Sequence, residues 1–86
     1  MKIKKISLDQ PVTYEIKVPG ILNENWLDWN GRLKIEVERD LYPEPVSILT
    51  ISIDQAELHG LLGYLYAFGI PLISVVCKEY LVNEIE

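Results

Sequence analysis

The chain is 86 residues long, 49% hydrophobic and 24% charged, and its acidic residues outnumber its basic ones to give a formal net charge of −5. At this length a chain buries only about 60–65% of the surface its unfolded form exposes, which leaves no room for a second domain or a deep, enclosed active site. The hydrophobic share excludes a disordered chain. The longest apolar runs, such as Ile70 to Cys77, fall far short of the roughly 20 residues of a membrane-spanning helix, and the few scattered cations offer little to the phosphate backbone of nucleic acid.

In chain order, Val12, Tyr14, Ile16 and Val18 alternate with Thr13, Glu15 and Lys17, the period-two pattern of a strand with one buried and one wet face. Pro19-Gly20 stops it. The following Asn23-Glu24-Asn25-Trp26-Leu27-Asp28-Trp29 fits a short helical turn, with Trp26 and Trp29 on one face, and fits an extended arm equally well. In the second case Asn30-Gly31 makes a two-residue hairpin into the next strand, where Leu33, Ile35 and Val37 alternate with Lys34, Glu36 and Glu38. Two prolines in Asp40-Leu41-Tyr42-Pro43-Glu44-Pro45 force a turn before a third strand, Val46 to Ile53. That strand sets Leu49, Ile51 and Ile53 on one face and Ile48, Thr50 and Ser52 on the other.

Asp54-Gln55-Ala56-Glu57 has the form of a capping box, in which Asp54 accepts from the Glu57 amide and Glu57 reaches back. It predicts a helix over 54–69, with an apolar stripe of Leu58, Leu61, Leu62, Leu65 and Phe68 and a stop at Gly69 and Pro71. Leu72 to Cys77 then reads as a fourth strand, apolar on both faces and so expected to be covered on both. The order predicts an α+β fold: a ferredoxin-like two-layer sandwich with a four-stranded antiparallel sheet, one long helix and a stunted first helix. Trp26 and Trp29 would stand in for that missing helix. The expected organisation is a single domain over 1–86, with a core of about 12–77 and flexible or docking termini at 1–11 and 78–86.

Gly20, Leu22, Trp26, Asp28, Trp29, Gly31, Leu33 and Ile35, then Asp54-Gln55-Ala56-x-Leu58-His59-Gly60-Leu61-Leu62 and Gly69-x-Pro71-Leu72-Ile73-Ser74-Val75, carry a resemblance. The chain is similar, over roughly residues 14 to 76, to a widespread group of short uncharacterised bacterial proteins. These share a Trp-x-Asp-Trp segment and a helix opening Asp-Gln-Ala-x-Leu-His-Gly. The resemblance implies no activity. This chain departs from the group at Asn30, where an aromatic is common, and at Gly63-Tyr64-Leu65-Tyr66, where basic residues are common.

Chemistry-bearing residues are few. His59 is the only histidine and has Gly63 at i+4, so no paired-histidine metal motif exists, and no metal or cofactor is expected. Gly60 and Gly63 each cost a helix roughly 1 kcal/mol relative to alanine. That cost is expected to be offset by close packing, either on the domain's own sheet or tryptophan segment, or helix on helix with a second subunit or partner. Tyr64 and Tyr66 flank that contact. Cys77, the only cysteine, cannot form an internal disulfide and reads as a small hydrophobe. The start of the chain lacks the apolar run of a secretory signal, which sets a cytoplasmic expectation.

Two functional readings follow. The first is a protein-interaction or regulatory module that associates with itself or a protein partner as a homodimer, without nucleic acid, membrane or catalysis. The second is a small-ligand sensor with a pocket near Trp26, Trp29 and His59. An enzyme with His59 as general base lacks a visible second catalytic group.

Overall fold

The computed structural model describes residues 7–22 and 32–79. It is an α+β fold in which one helix packs on a four-stranded antiparallel sheet. The elements are β1 (Val12–Pro19), β2 (Lys34–Glu38), β3 (Val46–Ile53), α1 (Gln55–Ala67) and β4 (Ser74–Cys77). In space the strands run β2-β3-β1-β4, so the two eight-residue strands are central and the two short ones lie at the edges.

The alternation in the sequence becomes the two faces of this sheet. Val12, Tyr14 and Ile16 pair with Ile53, Ile51 and Leu49, and all six are buried against Leu58, Leu61 and Leu65 of α1. Ile35 and Val37 of β2, and Val75 and Cys77 of β4, share that face by register. The other face carries Thr13, Glu15 and Lys17 beside Ile48, Thr50 and Ser52, with Lys34, Glu36 and Glu38 alongside. One-sided burial is what an antiparallel sheet allows and what the charges on the open side require.

The ends of the elements follow local chemistry. Asp54 caps α1: its carboxylate accepts from the Glu57 amide at 2.8 Å, while the Glu57 side chain accepts from the Asp54 amide at 3.2 Å. At the other end Gly69 adopts φ 73°, a left-handed turn that glycine enters without a side-chain clash. Gly20, at φ 89°, ends β1 in the same way and donates its N–H to the Pro45 carbonyl at 2.7 Å.

Ser47 is the one fully buried polar side chain among the described residues. It sits at an inward position of β3 opposite Val18, where its hydroxyl donates to the Gly20 carbonyl at 2.7 Å and accepts from the Leu22 amide at 2.9 Å. It thereby satisfies two backbone groups of the chain leaving β1. Arg32 lies at the opposite end of the sheet, donating to Glu57 at 2.7 Å. Because β1 and β2 are each antiparallel to β3, they run parallel with β3 between them.

Four expectations need correction. The helix proper spans Gln55–Ala67 rather than 54–69, because Asp54 keeps the extended dihedrals of a cap and Phe68 forms the C-cap. Phe68 consequently leaves the buried stripe and is exposed, its ring 4.9 Å from that of Tyr64. The fourth strand begins at Ser74 rather than Leu72, since the ladder ends at Ser74 opposite Lys17 and Pro71 has no N–H to extend it. Nor is it covered on both faces: Val75 on the helix side and Val76 on the open side are both exposed. Trp26, Trp29, the Asn30-Gly31 turn and the stunted first helix lie outside the described residues.

Two substitutions test this account of the core by denaturant unfolding. Leu61→Ala, at a fully buried site, is expected to cost about 2–5 kcal/mol, because the helix and sheet close only partly over the void. Ser47→Ala is expected to cost about 1–3 kcal/mol, because it leaves the Gly20 carbonyl and Leu22 amide without a partner. A Ser47→Ala protein as stable as the parent would show that neither backbone group depends on the hydroxyl.

Candidate functional site

The two edges of the sheet differ. β2 carries Lys34, Glu36 and Glu38, all exposed, with Lys34 and Glu36 3.6 Å apart as an ion pair. Charges on an edge strand discourage pairing with another chain. β4 is Ser-Val-Val-Cys, with no charge in it.

The segment leading into and along β4 leaves large apolar side chains in water: Leu72 is 45% exposed, Ile73 53%, Val75 38% and Val76 45%. The cause is position. Buried inside a sheet, such a run would be shielded by a strand on each side, but among the described residues β4 has only β1 beside it. The Lys78 amide donates to the Thr13 carbonyl at 2.8 Å, which fixes the phase of the ladder. Ser74 and Val76 share that phase, so Val75 and Cys77 turn their backbone N–H and C=O toward the open edge.

The ends of this edge are held in place. Ile73 donates its amide to the Lys17 carbonyl at 2.7 Å. At the far end Lys78 lies 3.6 Å from the Glu15 carboxylate, and the Glu79 carboxylate accepts from the Thr13 amide at 3.1 Å. The two charges that follow β4 are thus engaged with β1, and the stretch before them, residues 70–77, carries no charge.

The helix contributes the residues that the sequence singles out. His59, Gly60, Gly63, Tyr64 and Tyr66 are all on its exposed side, with Tyr66 84% exposed. Gly60 and Gly63 do not pack on the domain's own sheet. A side chain at either would meet nothing within 4 Å among the described residues. Of the expected close contacts for these glycines, the one with the sheet is therefore excluded. Trp26 and Trp29 lie outside the described residues. Among the described residues no three His, Cys, Asp or Glu side chains gather where they could share a metal ion. Cys77 is a half-buried thiol at the end of β4.

Sequence reasoning missed Arg32. Its guanidinium donates to Glu57 at 2.7 Å, tying the chain before β2 to the first turn of α1. No local pattern signals a partner 25 residues away. The Arg32 hydrogen bond is the main reason the Glu57 carboxyl lies below its ordinary value; the Asp54 amide also lowers it, and partial burial opposes both. Sequence reasoning also missed Gln55, whose amide donates to the buried Tyr14 hydroxyl at 2.8 Å.

Residues 13–76 match the model of one protein family, described as a domain of unknown function (DUF8691). No curated protein and no solved structure matches the chain.

The Glu57 carboxyl is lowered in the folded state, so its contribution is present above the ordinary carboxylate value and lost as pH falls through the lowered one. Following the carboxyl carbon by NMR across an acid titration should show Glu57 titrating below the ordinary glutamate value. In Arg32→Ala it should move back up toward that value. An unchanged Glu57 titration in that variant would remove Arg32 as the cause.

Proposed function

We propose that this chain, which belongs to the DUF8691 family of domains of unknown function, is a small non-enzymatic protein-interaction or regulatory module that works as a homodimer. The observation that carries this reading is the uncharged β4 edge with four exposed apolar side chains, Leu72, Ile73, Val75 and Val76. Open strand edges with apolar flanks are templates for pairing, and proteins that do not use them usually charge, bend or cover them. β2 is charged; β4 is not.

The strand order β2-β3-β1-β4, with every neighbour antiparallel, supports assigning the domain to the ferredoxin-like sandwiches. In that architecture the helix between β3 and β4 lies over the sheet and leaves the β4 edge accessible. A cytoplasmic setting suits the lone, half-buried thiol of Cys77, since a reducing compartment keeps such a group from being oxidised. The described helix is not long and apolar enough to cross a membrane.

Native mass spectrometry over a concentration series is expected to show a species at twice 9.9 kDa that grows with concentration. Val76→Lys sets a charge on the open edge at an already exposed position, and is expected to abolish that species with little change in the unfolding midpoint of the dilute protein. A chain that stays monomeric at every concentration, with no other protein bound, would overturn the reading.

A further inference from the structure

Resting on the self-association proposed above, we infer that the partner on the β4 edge is a second copy of this chain, paired antiparallel about a two-fold axis at Val76, so that the two sheets join into one of eight strands. Three observations support this occupant.

The first is direction. A two-fold axis perpendicular to a sheet always pairs an edge strand with its own copy antiparallel, and every existing ladder in this sheet is antiparallel. The second is phase. Val75 and Cys77 present their backbone groups outward, so they meet as a hydrogen-bonded pair, Val75 against Cys77 of the other copy and the reverse. Val76 then faces Val76 of the other copy as a non-hydrogen-bonded pair, the closer kind of cross-strand neighbour.

The third is charge. Although the chain carries a net charge of −5, this register sets no like charges opposite one another: Lys78 faces Ser74 of the other copy, and Val76 faces itself. Each Lys78 stays within reach of its own Glu15 at 3.6 Å. On the β2 edge the equivalent axis, at Glu36, would stack two carboxylates.

The pairing leaves both copies of α1 on the same side of the joined sheet, because the axis maps each face onto itself. Four residues per strand form a short contact, so the dimer is reversible and concentration-dependent rather than obligate.

Disulfide trapping reads the register directly. Opposed Cα atoms at a non-hydrogen-bonded pair are about 4.5 Å apart, within the range a disulfide spans, whereas a pair offset by two residues lies beyond about 7 Å. In a Cys77→Ser background, Val76→Cys is therefore expected to cross-link into a covalent dimer under mild oxidation, and Val75→Cys is not. The same proteins unfolded in denaturant should show no such difference.

Cross-linking through Val75→Cys instead would overturn the axis at Val76 while leaving self-association intact. A non-covalent dimer that neither variant traps would overturn the axis at Val76. A monomer at every concentration would remove both this inference and the function it rests on.

Discussion

The ladder between β1 and β3 pairs residues along the whole length of both strands and buries Val12, Ile16, Val18, Leu49 and Ile53 almost completely, along with Tyr14 and Ile51. The helix cannot form its face of the core without this surface, since among the described residues Leu58, Leu61 and Leu65 have no other apolar partner of comparable extent. Both edge strands in turn depend on it, because among the described residues β2 pairs only with β3 and β4 only with β1. Two polar ties lie at opposite ends of this ladder. Ser47 satisfies Gly20 and Leu22 at one end, and Arg32 grips Glu57 at the other.

This arrangement has one consequence for the surface. A chain that places its two longest strands centrally must put its shorter ones at the edges, and here one short strand is charged and the other apolar. A strand on the far side of β4 is not supplied by the described residues, so its backbone edge is left open.

Much of the architecture was legible in the sequence, because it is carried by local patterns. Alternation from Val12 to Val18 and from Val46 to Ile53 gave the central strands and their buried faces, and Asp54 with Glu57 gave the start of the helix. What was not legible depends on pairing across long separations. Ser47 has the inward parity of Leu49, yet its use is visible only once Gly20 and Leu22 are placed beside it. The apolar Ser74–Cys77 reads as an interior strand by composition, and only the strand order reveals it as an edge. Of the candidate site residues, the helix positions were correctly placed together on one element, but the burial expected of Gly60 and Gly63 against the sheet did not follow. Helical periodicity fixes which residues share a face without saying which face the sheet will take.

Why an exposed apolar edge persists in so small a domain has a physical answer in its length. A long, flat, uncharged edge would pair indiscriminately and aggregate, while a very short one makes too few hydrogen bonds to hold an arbitrary strand. β4 is bounded by Pro71 before it and by Lys78 and Glu79 after it, and the two charged residues are committed to β1. These limits leave room for one short register and little else. In the proposed dimer a second copy would meet that register with the same four residues read in the opposite direction, so symmetry would double each favourable contact without lengthening the strand. On that proposal, the feature that would be a hazard in a longer strand serves, at four residues, as a basis for selective and reversible assembly.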